Sequence, residues 1–137
     1  MLAMASTLCS ATDSITVTID GRQYQVSTVY GSYVDLNSTL TQSLFYGNSA
    51  FAQSLSNAVA AQLPGVWGSD TGPGFNYGYD TSDAFPNGRA LTWVYITGPG
   101  PQDLPMVSLD EPMYWALVSL AGPSVADTQA SFVSNAY

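Results

Sequence analysis

The chain has no lysine, no histidine, one cysteine, one glutamate and only two arginines among its 137 residues. Missing histidine removes the commonest general acid/base and the commonest zinc ligand, and missing lysine removes every Schiff-base route. A single Cys9 can form neither an intramolecular disulfide nor a cysteine-rich metal site. It reads as a small apolar residue near the N-terminus, in keeping with the burial habits of free cysteine. Arg22 and Arg89 stand against ten carboxylates, leaving a formal charge of −8 and a pI near 4.1. Such a field repels phosphate backbones and anionic bilayers, and no basic stripe offsets it. Nucleic acid is therefore excluded as a partner. No run approaches the roughly 18 apolar residues of a membrane span.

Charged residues make up 9% of the chain, against about 25% in ordinary soluble domains. The surface must then be covered by Ser, Thr, Asn, Gln, Gly and Tyr, which is neutral and hydrogen-bonding. With 46% hydrophobic residues the length supports one core and one domain. Residues 1–11, with apolar Leu2, Ala3 and Met4 and the small residues Cys9-Ser10-Ala11, resemble the back half of a secretory signal. They lack its charged start and full apolar stretch. A misplaced or truncated start and an ordinary N-terminal segment are both consistent with this. A single domain over 12–121 and a flexible or docking tail over 122–137 are expected.

The pattern predicts an α+β fold with one antiparallel sheet of about four or five strands, an N-terminal hairpin and two inserted helices. Ile15 to Ile19 alternates apolar and polar, and Asp20-Gly21 leads into a second β-rich run, the signature of a hairpin. Leu36, Leu40 and Leu44 recur every four residues, which suits a short helix capped by Asp35 or Asn37. Asn48 can cap a second helix with Phe51, Leu55, Ala58, Val59, Gln62 and Leu63 on one face, ended by Pro64-Gly65. Its other face, Gln53, Ser56, Asn57 and Ala60, carries no charge. Phe75, Tyr77 and Tyr79 alternate as in a short strand, and Ala90 to Thr97 is apolar on both faces, as in the middle of a sheet. Gly98-Pro99-Gly100-Pro101 reads as a turn or loop, Met106 to Leu109 as a short strand, and Met113 to Ala121 as a further central strand.

Val29-Tyr30-Gly31-Ser32-Tyr33-Val34-Asp35-Leu36, Leu44-Phe45-Tyr46-Gly47-Asn48, the small-residue helix Leu55 to Leu63, and Gly72-Pro73-Gly74-Phe75-Asn76-Tyr77 follow one another in that order. Over residues 24–121 this order resembles secreted bacterial proteins of the PEP-CTERM type. The resemblance implies export, association with exopolysaccharide and the cell surface, and no established enzymatic activity. The closing Pro-Glu-Pro motif, apolar span and basic residues of that family do not occur in this sequence. A trimmed chain or a freely secreted relative would account for that.

Asp70, Asp80 and Asp83 lie in a loop-rich stretch with Asn76 and Asn87, oxygen ligands of the kind calcium takes, though their spacing does not match an EF-hand. Asp with Gly, Ser and Asn is also what any turn looks like. Asp110 and Glu111 are adjacent and would point opposite ways on an extended chain, so they do not form a glycosidase pair. No Gly-x-Ser-x-Gly occurs. Asn37-Ser38-Thr39 matches the glycosylation sequon, a common pattern that helix capping explains as well. Among the aromatics, Trp67 and Tyr77 are the better exposed candidates for stacking on a sugar. Val125, Phe132, Val133 and Tyr137 would let the tail add to a neighbour's sheet edge. A non-catalytic, cofactor-free, secreted matrix or cell-surface protein that forms a homo-oligomer or polymer is the leading expectation, because no lysine guards a sheet edge. A carbohydrate-binding module, calcium-assisted and directed at extracellular polysaccharide, is the alternative.

Overall fold

The computed structural model describes residues 14–121. Its order is β1 (Ser14–Ile19), β2 (Arg22–Gly31), α1 (Tyr33–Leu40), α2 (Ser49–Val59), β3 (Phe75–Asp80), β4 (Arg89–Ile96), β5 (Gly100–Met106) and β6 (Met113–Leu120). The fold is α+β and begins with the expected hairpin. Asp20 and Gly21 both take positive φ, 54° and 80°, the conformation that a two-residue turn matched to strand twist requires. Cross-strand pairs such as Val17 with Tyr24 then set the register.

The strands form two antiparallel sheets of three, ordered β1-β2-β6 and β3-β4-β5. They meet at Gly74, which makes a parallel bridge to Trp115. The Gly74 amide donates to the Tyr114 carbonyl at 3.0 Å, and the Gly74 carbonyl accepts from the Ala116 amide at 2.8 Å. A Cβ at this position would lie 3.0 Å from the Thr92 methyl and 3.3 Å from the Trp115 ring. Only glycine allows the backbone this close to the indole.

Apolar residues on the two sides of the strands build two clusters. One gathers Val17, Val26, Ala116 and Val118 with Phe45, Phe75 and the buried face of α2, Ala52, Leu55 and Val59. The other gathers Trp115, Met113, Ala90, Val94 and Met106 with Tyr33 and Leu40 of α1. Strand β6 is thus covered on both faces, which explains why Met113 to Leu120 reads as a nearly continuous apolar run. The fully buried Trp115 satisfies its indole by donating to the Gly31 carbonyl at 3.1 Å.

Several local features differ from the sequence reading. Helix α1 starts earlier, at Tyr33, because Ser32 caps it: the Asp35 amide donates to the Ser32 hydroxyl. Asp35 instead supplies negative charge in the first turn, where the helix dipole favours it. Leu44 falls beyond the helix and is exposed. Helix α2 is capped by Asn48 as expected but stops at Val59, where Ala60 takes positive φ. Its buried face is Ala52, Leu55, Ser56 and Val59, so Ser56 belongs to the core side and not to the outer face. Strand β5 occupies Gly100–Met106, earlier than Met106 to Leu109, and holds Pro101 and Pro105. An edge strand tolerates proline because the missing amide faces away from its partner.

Between Asn76 and Gly78 the β3–β4 register shifts by a bulge. The buried Asn76 bridges it, donating through Nδ2 to the Gly78 carbonyl at 2.8 Å and the Leu91 carbonyl at 3.1 Å. Replacing Asn76 with Ala should destabilise by about 2–4 kcal/mol, since two carbonyls lose their donor. A urea midpoint shift equivalent to under ~1 kcal/mol would contradict this role. The buried Ser56 hydroxyl has no partner among the described residues. Ser56→Ala should therefore be neutral or stabilising by up to about 1 kcal/mol, and a clear loss of stability in the same assay would show that the hydroxyl is satisfied.

Candidate functional site

The bulge sets the aromatic residues of β3 on different sides. Phe75 and Tyr77 both pack with the α2 cluster, whereas Tyr79 stacks on Tyr33 at 5.8 Å with the rings nearly parallel. Tyr77 is brought beside Trp93 and Asp103, which pair across β4 and β5, and beside the first residue of α2. Its hydroxyl lies 2.8 and 2.9 Å from the two Asp103 carboxylate oxygens. The Trp93 indole donates to the Ser49 hydroxyl at 2.9 Å. Burial, then donation to Asp103, pushes the Tyr77 phenol up to about 12. A half-buried tyrosine, a tryptophan and an exposed carboxylate on one face form an apolar platform beside a hydrogen-bond acceptor. That is a chemistry suited to stacking and hydrogen-bonding a sugar ring.

Trp67 does not join this cluster. It is 55% exposed in the loop before Thr71, where its amide donates to the Thr71 hydroxyl and Thr71 bridges to Ile96. Tyr77 sits at the level of Leu91 and Thr92, roughly 15 Å back along β4. The three aspartates proposed as calcium ligands are not gathered either. The Asp70 carbonyl accepts from the Thr97 amide at one end of β4, while Asp80 pairs with Arg89 at the other, about 25 Å away. The Asp80 carboxylate is engaged by the Arg89 guanidinium at 2.7 Å, which also lies over the Phe85 ring. Asp83 is exposed in the loop between β3 and β4. Among the described residues no three His, Cys, Asp or Glu side chains cluster as a metal site would need. Val125, Phe132, Val133 and Tyr137 lie outside the described residues.

The sheet edges differ sharply in how they are protected. Strand β5, the outer strand of its sheet, carries Pro101, Asp103 and Pro105, and prolines and charges are the usual defence against strand addition. Strands β3 and β6 face each other across the Gly74 bridge, and the Gly47 amide donates to the Tyr77 carbonyl on β3. The end of α1 and its connection, at Thr39, Gln42 and Ser43, flank β6 beside Leu117 and Ser119. Strand β1, Ser-Ile-Thr-Val-Thr-Ile, has neither charge nor proline. Its ladder runs to β2 on one side, and no other described residue hydrogen-bonds its backbone on the outer side. Thr16 and Thr18 on this edge are exposed. Sequence reasoning singled out the missing lysines but not the strand that this leaves open; the signal was the contrast between an uncharged β1 and a proline-bearing β5.

A shallow groove of about 480 Å³ lies between the hairpin and α2, where Tyr24 and Phe51 meet edge to face at 5.0 Å. Asp20, Arg22, Asn48 and Ser54 line it. No helix of the described residues is long and apolar enough to cross a membrane. No family model, curated protein or solved structure matches the chain.

Tyr33, like Tyr77, has its phenol pushed up to about 12, chiefly by burial and then by Tyr46 and Tyr79. Both groups remain neutral in the fold at pH values where an unfolded tyrosine, with its ordinary pKa near 10, ionises. Their contribution to stability is complete below pH ~10 and is lost as pH rises from there through about 12. Phenolate absorbance near 295 nm should show late-titrating tyrosines, one fewer in Tyr77→Phe. Titration of every tyrosine near pH 10 in the folded chain would contradict the burial of these hydroxyls.

Proposed function

We propose that this chain is a non-catalytic secreted protein of the extracellular matrix or cell surface that self-associates through its sheet edge. The observation that carries the reading is the unguarded β1, uncharged and without proline, in a fold whose other outer strand bears two prolines and an aspartate. An open row of amides and carbonyls gains hydrogen bonds when another strand adds to it. The surroundings favour this: Asp20 and Arg22, of opposite sign, stand at the turn that ends β1, and α2 packs beside β1 without any charged residue of its own. The signal-like residues 1–11 and the resemblance to exported surface proteins support a location outside the cell.

A second reading, binding of extracellular polysaccharide, is favoured by the Tyr77, Trp93 and Asp103 face. It would not use Trp67, and it has no gathered aspartates to make it calcium-assisted. A glycan array with Tyr77→Ala as the control would distinguish a specific sugar from background.

The main reading is tested by charging the edge. Thr16→Lys with Thr18→Lys places ammonium groups on exposed positions of β1 and should weaken association by at least about tenfold, or ~1.4 kcal/mol, with the circular dichroism unchanged. Light scattering over a concentration series reads the outcome. Association as strong as in the parent chain, or a parent chain that stays monomeric throughout, would overturn the reading.

A further inference from the structure

We infer that the partner of β1 is β1 of a second copy, joined antiparallel about a two-fold axis through Val17, so that the chain forms a closed pair. This rests on the self-association reading and specifies its geometry. A head-to-tail assembly needs two different complementary edges, whereas an isologous one needs a single edge that pairs with itself. Among the described strands, β3 and β6 are joined at the single Gly74 bridge, with the end of α1 and its connection flanking β6 and Gly47 bonded to β3, and β5 is blocked by Pro101 and Pro105. That leaves β1 as the outer strand whose whole outer edge is free of proline, charge and any hydrogen bond from another described element's backbone.

The partner's identity follows from charge. A chain carrying −8 resists a second copy wherever carboxylates would meet. Ser14–Ile19 and Ser49–Val59 contain no charged residue, and α2 packs beside β1. Along Ser14–Ile19 and α2 no like charges oppose each other, and Asp20 at the turn falls opposite the neutral Ser14 of the second copy in the Val17-centred register.

Side-chain alternation restricts the register to even shifts, and only the Val17-centred one gives Ile15, Val17 and Ile19 all an apolar partner; centring on Thr16 or Thr18 would leave Ile19 or Ile15 without one. Val17 is buried on the α2 side with Ile15 and Ile19 partly buried beside it, while Thr16 and Thr18 point the other way and are exposed. Residues directly opposite in an antiparallel pair project to the same face. Setting Val17 against Val17 of the second copy places Ile15 against Ile19 and Thr16 against Thr18, so apolar meets apolar and hydroxyl meets hydroxyl from Ile15 to Ile19, with Ser14 opposite Asp20 at each end. A shift by one residue would set each isoleucine against a threonine or serine and turn the two core faces to opposite sides. In the Val17 register both α2 helices lie on one side of a joined six-stranded sheet, where their exposed residues Ala50, Gln53, Ser54 and Asn57 are neutral.

Cysteine cross-linking reads this register. In the full chain carrying Cys9→Ser, one sample has Thr16→Cys, another Thr18→Cys, and a third is an equal mixture of the two. Opposed residues stand about 4.5–5.5 Å apart at Cα, inside the range a disulfide spans. Identical positions stand on the diagonal at about 7–8 Å, beyond it. Mild oxidation should therefore give covalent dimer at least about tenfold faster in the mixture than in either single variant, a rate ratio that only the Val17 register predicts. Equal rates in all three samples, or faster cross-linking in a single variant, would overturn the register while light scattering of the parent still showed a dimer and left self-association standing. Particles that grow past two copies with Thr16 and Thr18 cross-linked would overturn closure. A parent chain that is monomeric at every concentration would overturn both the pairing and the reading beneath it.

Discussion

Two backbone hydrogen bonds at Gly74 decide which strand edges of this fold remain open. They tie the start of β3 to the middle of β6, and the Trp115 ring packs where a side chain at Gly74 would otherwise project. Without them the molecule would be two separate three-stranded sheets with four outer strands exposed. With them, the start of β3 is joined to β6, Trp115 is sealed between the sheets and donates to Gly31, and the strands whose outer edge no such bond touches reduce to β1 and β5. The buried indole links the two sheets, α1 and the end of β2 in one contact set, so truncating it to Ala would cost about 3–5 kcal/mol.

The bulge in β3 is the second constraint. A regular strand would send Phe75, Tyr77 and Tyr79 to one face. The extra residue sends Tyr79 to Tyr33 and leaves Tyr77 at Asp103, so each ring has a partner. Asn76 holds the distortion by giving both protons of one amide nitrogen to backbone carbonyls. The polar aromatic face beside α2 is therefore a product of backbone geometry as much as of composition.

Much of this was legible in the residues. Asp20-Gly21 announced the hairpin because few dipeptides accept two positive φ angles, and the double-faced apolar runs of β4 and β6 announced central strands. Leucine periodicity points to Asp35 or Asn37 as the cap of α1, whereas the actual cap, Ser32, sits before any apolar residue of the helix. Strand β5 was hidden by its prolines, which read as loop until an edge position explains them. The division into two sheets, and the separation of Asp70 from Asp80 and of Trp67 from Tyr77, depend on contacts between residues far apart in the chain. No local pattern reports those.

The proposed function follows from what the fold leaves unpaired. One carboxylate and two prolines guard one outer strand, a glycine stitch joins the inner ones, and six uncharged residues stand at the remaining edge. Amide hydrogen exchange measured at two protein concentrations tests this edge most directly, because pairing protects outward-facing amides that no other described residue covers. Amides of Ser14–Ile19 should slow with rising concentration while those of β5 do not change. Concentration-independent exchange in β1, or protection gained at β5 instead, would contradict it.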